Sequence, residues 1–127
     1  MLQTGILGEQ TIVVDDSLTA KVFGSGTLEV YGTPAMIALI ENSALKSIAP
    51  MLDKGWGSVG TSLNIQHVSA TPVGMKVTAK TELVEVDRRR LVFNCEVYDE
   101  VGLIGKGSHE RFLVEEAKFQ AKTDAKK

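Results

Sequence analysis

Two ionisable side chains stand where the surrounding pattern calls for apolar ones, and both are of kinds that move protons. Glu41 follows the run Ala35, Met36, Ile37, Ala38, Leu39 and Ile40, and shares a helical stripe with Ile37, Ala44, Leu45 and Ile48. A carboxylate there is costly to desolvate unless it has a partner or faces a cleft. His67 has the strand parity of Leu63 and Ile65, so it falls on an apolar face. Each residue also has a plain structural reading. Glu41 can be rotated outward or bonded to a backbone donor, and a lone histidine on an apolar face is more often a satisfied core residue than a catalyst. A carboxylate and an imidazole meeting in one pocket are nevertheless the usual parts of general acid–base hydrolysis. Thr33 adds a hydroxyl at a helix start, beside N–H groups that favour a developing negative charge. Helix capping would be a sufficient role for Thr33 by itself.

These residues need a helix and a strand to carry them. Tyr31-Gly32-Thr33-Pro34 is a helix-start signal. Thr33 suits the N-cap, and Pro34 suits the first helical position because its missing N–H would go unpaired anyway. The helix is expected over residues 34–49, stopped by Pro50. Its first half is apolar nearly all round, the mark of a helix enclosed in a core. From residue 58 the pattern has period two. Val59, Thr61, Leu63, Ile65 and His67 share one strand face, and Ser58, Gly60, Ser62, Asn64 and Gln66 the other. A turn at Thr71-Pro72-Val73-Gly74 leads to strands over 75–86, 91–98 and 103–115, with turns at 87–90 and 99–102. Gly105 and Gly107 inside the last strand indicate a bulge or a close backbone approach. A first strand is expected over 9–14, followed by a mixed connection over 15–26. This order gives an α+β hotdog fold: one long central helix wrapped by a curved antiparallel β-sheet. Closure of the 58–115 meander into a small barrel is the other topology, and the all-round apolar helix favours wrapping. Residues 1–127 read as one domain, with about 117–127 as a polar tail.

Composition narrows the classes. A chain of 127 residues has the size of one ordinary domain, and 43% hydrophobic with 24% charged residues is ordinary for a globular protein. A net charge of −2 provides no field that would draw nucleic acid. The basic cluster Arg88-Arg89-Arg90 reads as a solvated turn, and the lysines of the last ten residues as a frayed tail. Cys95 has the parity of Leu91, Phe93 and Val97, which makes it a small buried hydrophobe rather than a nucleophile. No metal or redox cofactor is expected. Cys95 is the single cysteine, His67 and His109 lie on different strands, and no glycine-rich loop joins a strand to a helix in dinucleotide-binding form. No basic region followed by an apolar run opens the chain, and the apolar stretch at 35–40 is too short to span a bilayer. A cytoplasmic, reducing location is expected, with neither membrane nor nucleic acid as partner.

The segment Val30-Tyr31-Gly32-Thr33-Pro34-Ala35-Met36-Ile37-Ala38-Leu39-Ile40-Glu41 resembles the helix start of the fluoroacetyl-coenzyme A thioesterase-like hotdog family. Gly60-Thr61 and His67-Val68-Ser69-Ala70-Thr71-Pro72-Val73-Gly74 resemble its histidine strand and turn. Gly107-Ser108-His109-Glu110-Arg111 and Lys118-Phe119 resemble its last strand and tail. The resemblance covers nearly the whole chain. It implies an acyl-CoA thioesterase in which Thr33, Glu41 and His67 are the catalytic set. Glu41 would either attack the carbonyl or activate water. It also implies that Gly60 places a backbone N–H near the thioester oxygen and that Arg111 shapes or charges the site. A homodimer or dimer of dimers is implied too, with sheets joined edge to edge and the active site at their junction. The fluoroacetyl-specific enzyme carries an aromatic-bearing lid before the threonine. Here that stretch is the short, glycine-rich Phe23-Gly24-Ser25-Gly26-Thr27-Leu28, so a short, medium or aryl acyl group is expected instead. A non-catalytic hotdog module that binds acyl-CoA or another small ligand is the alternative. Exposed Lys and Arg side chains would meet the phosphates of coenzyme A, with Arg88, Arg89 and Arg90 as candidates.

Overall fold

The apolar faces of the helix and of the strands meet across two layers. The computed structural model describes residues 2–127. Strand β1 (Leu7–Val13) leads through a short 3-10 turn to a one-turn helix α1 (Ala20–Phe23) and then to the long helix α2 (Thr33–Ile48). Strands β2 (Trp56–His67), β3 (Lys76–Asp87), β4 (Arg90–Tyr98) and β5 (Leu103–Glu115) follow, and helix α3 (Glu116–Asp124) closes the chain. The five strands form one antiparallel sheet in the order β1-β3-β4-β5-β2. The expected wrapped helix is therefore observed, and β1 and β2 are the two sheet edges.

Strand alternation builds the core. Val77, Ala79 and Leu83 of β3 and Leu91, Phe93, Cys95 and Val97 of β4 are buried against Met36, Ile40, Ala44 and Ile48 of α2. Full burial of one such large side chain contributes about 1.5–3 kcal/mol. Ser43 and Thr81 are also buried there, and their hydroxyls lie 3.0 Å apart, so each satisfies the other between helix and sheet. Cys95 is buried as a small core residue, and burial pushes its thiol up to about 12.

Four expectations are corrected. The helix is not enclosed all round: Pro34, Ala38, Leu45 and Lys46 are exposed, because the sheet curls over one side of α2 only. Gly32, not Thr33, is the N-cap; Thr33 is the first helical residue and its hydroxyl is used elsewhere. The tail beyond 116 is helical and exposed rather than frayed, since residues such as Ala117, Gln120, Ala121 and Lys122 are good helix formers with no Gly or Pro among them. Finally, β2 does not keep one parity. Its register against β5 shifts between Gly60 and Ser62. Gly60 pairs with Arg111, Leu63 with His109 and His67 with Gly105, while Val59 pairs with the exposed Phe112. The bulge at Thr61 thus turns Gly60 inward and Val59 outward, and it leaves Leu63, Ile65 and His67 on the inner face.

Gly107 has φ +152°, and a Cβ there would collide with the carbonyl of Asn64 on β2. Both the backbone conformation and the close approach of β2 require glycine. Gly107→Ala is expected to lower unfolding stability by about 2 kcal/mol or more. Urea denaturation checks this; a midpoint equal to that of the natural chain would show that β2 is not held so closely.

Candidate functional site

Helix α2 and edge strand β2 carry the chemically active side chains, and they fall into two groups. The first is at the start of the helix. The Thr33 hydroxyl lies 2.8 Å from Nδ1 of His67, the last residue of β2. The direction of that hydrogen bond follows the imidazole tautomer. Burial lowers the His67 pKa from its ordinary value, and the Ser69 backbone offsets this only in part, so the ring is neutral at pH 7. Nε2 of His67 is buried with no hydrogen-bond partner, and so is the hydroxyl of Tyr31. The two rings meet edge to face with centroids 6.5 Å apart. No side chain caps the start of α2, which leaves backbone N–H groups open beside Thr33.

The second group is centred on Glu41. Its side chain is 38% exposed, and Oε2 lies 3.8 Å from Nη1 of Arg111, whose own side chain is 6% exposed. A Cβ on Gly60 would stand 2.5 Å from that same Oε2, so the carboxylate rests directly on the strand backbone. Arg111 donates from Nε to Ser58 Oγ at 2.8 Å and from Nη2 to the Ser58 carbonyl at 2.9 Å. Burial lowers its pKa and Glu41 raises it. The guanidinium stays charged regardless, because its intrinsic value is so high.

The structure therefore joins Thr33 to His67, and Glu41 to Gly60 and Arg111, as two separate groups on the same helix and strand, roughly 20 Å apart along β2. No hydrogen bond or ion pair links Glu41 to His67 among the described residues. Sequence reading missed Tyr31, Ser58 and His109. Tyr31 was legible only as part of a helix start. His109 shares parity with Arg111, a signal that could have found it. Of the three turn arginines, Arg90 is bonded to Glu85 and Glu110, Arg89 lies 4.8 Å over the Trp56 ring, and Arg88 sits beside Asp87 at 90% exposure. No three of His, Cys, Asp and Glu converge as a metal site among the described residues. No helix is long and apolar enough to cross a membrane.

Comparison with known proteins decides the family. The profile of the fluoroacetyl-CoA-specific thioesterases matches residues 14–117. The chain belongs to this family. It is 41% identical over 98 residues to the fluoroacetyl-CoA thioesterase of Streptantibioticus cattleyicolor, covering 77% of this chain and 70% of that protein. The structure of the fluoroacetyl-CoA thioesterase FlK superposes with a TM-score of 0.95 at 33% identity, over 100% of this chain and 98% of that one. A thioesterase superfamily member from Thermus thermophilus superposes at 0.89 with 26% identity, over 97% and 91% of the two chains. Membership in the fluoroacetyl-CoA-specific thioesterase family makes the chain a thioester hydrolase and confirms the hotdog fold.

The packing of Glu41 on Gly60 has a direct consequence. Gly60→Ala would force the carboxylate to move, and a carboxylate at the end of a flexible side chain can do so cheaply. With Glu41 in the catalytic set that the resemblance implies, thioester turnover is expected to fall by about 100-fold, the scale of such a group displaced by about 1 Å, with a melting temperature within a few degrees of the natural chain. Equal turnover in both proteins would show that the position of Glu41 on β2 is immaterial.

Proposed function

We propose that this chain hydrolyses a short, medium or aryl acyl-CoA to the free acid and coenzyme A, with Glu41, Thr33 and His67 as its catalytic set. The observation that carries the reading is the half-exposed Glu41 carboxylate, resting on Gly60 beside a buried guanidinium, on the same helix and strand as the Thr33–His67 pair. A thioester carbonyl beside Gly60 meets Glu41 as the carboxylate that attacks it or draws a proton from water. The backbone of Gly60, against which Glu41 rests, suits the oxyanion that forms. The C–S bond then breaks, and the sulfur leaves as the thiol after taking a proton; where water was the attacking group the free acid is formed at once, and where Glu41 was, water then hydrolyses the mixed anhydride to the free acid and restores the carboxylate. Thr33 and His67, hydrogen-bonded to each other, stand roughly 20 Å along β2 from Gly60, so they hold the carbonyl or pass that proton from a second copy joined at the β2 edge.

The acyl group follows from the segment before α2. Between Phe23 and Leu28 stand only Gly24, Ser25, Gly26 and Thr27, and Val22, Phe23 and Leu28 are exposed. That short segment leaves room for acyl groups larger than the fluoroacetyl named for the relatives. Thiol release from a panel of acyl-CoA esters tests this. Faster turnover of medium or aryl esters than of fluoroacetyl-CoA is expected, and a preference for fluoroacetyl-CoA would refute the assignment. Glu41→Gln keeps the shape but removes the charge and the basicity; it should reduce turnover by about 1000-fold or more with the fold unchanged by circular dichroism. EDTA should leave the rate unaltered, since no residue of the proposed set needs a metal.

Acidity provides a separate check. Because burial lowers the His67 pKa, the imidazole remains neutral down to below its ordinary value of about 6.5. Its contribution to stability is present above the unfolded value and is lost as pH falls through the lower folded one. Turnover should fall over that same acidic range, and His67→Ala should remove this limb of the profile. A limb at or above 6.5 would contradict a buried neutral His67.

We also infer a homodimer or dimer of dimers joined along β2. This edge strand is 12 residues long, has a free side, and exposes Leu63 at 37%. Unpaired edges of this kind invite a further strand, and a second copy would cover the strand on which Glu41 rests and which His67 ends. Light scattering is expected to report two or four times the 13.7 kDa chain mass. A fully active monomer would refute it.

A further inference from the structure

We infer that His109 is a positioning residue for the Glu41 site, acting as the neutral acceptor that aims Arg111; this rests on the reading of Glu41 as the catalytic carboxylate. His109 is wholly buried and lies two residues from Arg111 on the inner face of β5. Its Nδ1 is 2.9 Å from the carbonyl oxygen of Ser62. A carbonyl oxygen only accepts, so the proton is on Nδ1 and the lone pair is on Nε2. That lone pair faces Nη1 of Arg111 at 3.3 Å. The same Nη1 is the atom 3.8 Å from Glu41 Oε2. Arg111 is held at its other nitrogens by Ser58, and among the described residues His109 and Glu41 are the polar groups that meet Nη1.

The two inner residues of β5 together straddle the β2 bulge. Arg111 grips Ser58 on one side of Thr61, and His109 grips Ser62 on the other. Between them lies Gly60, where a Cβ would be 2.5 Å from Glu41 Oε2, 3.3 Å from His109 Cε1 and 3.6 Å from Arg111 Nη1. Carboxylate, guanidinium and imidazole therefore converge on one backbone position. The Phe93 ring stacks on the imidazole with centroids 6.1 Å apart, which fixes its plane. With no exposed surface, His109 has no face open to a substrate. Its effect reaches the reaction through Arg111 and through the bulge that sets Gly60 beneath Glu41.

Two amides divide the imidazole's functions. His109→Asn retains a donor near the Nδ1 position but offers Arg111 no acceptor. His109→Gln extends an amide oxygen to the Nε2 position but loses the donor to Ser62. With the best acyl-CoA of the panel, His109→Asn is expected to lower kcat by about 100-fold with KM changed less than about threefold. His109→Gln is expected to recover kcat to within about tenfold of the natural chain. Equal losses in both variants, or a kcat in His109→Asn near that of the natural chain, would overturn the proposal. Nitrogen NMR of the natural protein and both variants gives a readout that needs no turnover. It should show His109 protonated on Nδ1, and separate, slowly exchanging Arg111 Nη signals in the natural chain and His109→Gln but not in His109→Asn. A His109 protonated on Nε2, or Arg111 signals unaffected by His109→Asn, would overturn it even if no acyl-CoA proved to be a substrate. Inactive natural protein with the expected NMR pattern would instead refute the catalytic reading of Glu41 and leave the aiming of Arg111 standing.

Discussion

The burial of the Arg111 guanidinium is the constraint on which the rest of the site depends. A cation removed from water is costly unless nearly every donor it carries is met. Arg111 is 5% exposed, and its donors are met by a hydroxyl, a carbonyl, an imidazole nitrogen and the nearby carboxylate of Glu41. Those partners come from β2, β5 and α2. One charge therefore fixes the spacing of the edge strand β2, its neighbour β5 and the helix α2. Glu41, which looked like an anomaly in an apolar helix, is the counter-charge that this arrangement requires, and it remains 38% exposed on its other side. A carboxylate tied to a cation on one side and open to solvent on the other can both be held still and meet a substrate.

The bulge in β2 is the second half of the same solution. A regular strand would put Gly60 and His67 on opposite faces, seven positions apart. The extra residue at Thr61 brings both inward. Glycine at 60 then lets the carboxylate settle on the backbone, where a side chain would displace it. The bulge weakens the strand ladder locally, and β5 makes good the loss with side-chain bonds to Ser58 and Ser62 on either side.

Much of this was legible beforehand. The alternation of Val77, Ala79 and Leu83 and of Leu91, Phe93, Cys95 and Val97 located the sheet core, and Pro34 and Pro50 bracketed the helix. Glu41 and His67 could be singled out because each contradicts the polarity of its own local pattern. What period-two counting could not reveal was a one-residue bulge. Thr61 has no unusual composition to betray it, so Val59 was placed on the wrong face. Nor could it reveal that Thr33 gives its hydroxyl to a histidine 34 positions away, since local spacing predicts only the cap. Ser58 and His109 were missed for a related reason. Their importance lies in which long-range partner they meet, and both look ordinary along the strand.

The exposed face of α2 follows from the same geometry. A five-stranded sheet in the order β1-β3-β4-β5-β2 covers the helix from one side, so apolar residues such as Leu45 remain open at the other. The all-round apolar composition of the helix exceeds what this sheet alone can bury. Leu45 on the helix and Leu63 on the free strand are both partly exposed, at 38% and 37%, and they flank the side on which Glu41 opens. Apolar surface beside an unpaired strand edge is favourable to cover, and whatever covers it also removes water from around the carboxylate and the Thr33–His67 pair. Desolvation strengthens each electrostatic contact already present there. The surplus apolar surface of α2 and the free edge of β2 therefore act in one direction: association there would complete the core and sharpen the site together.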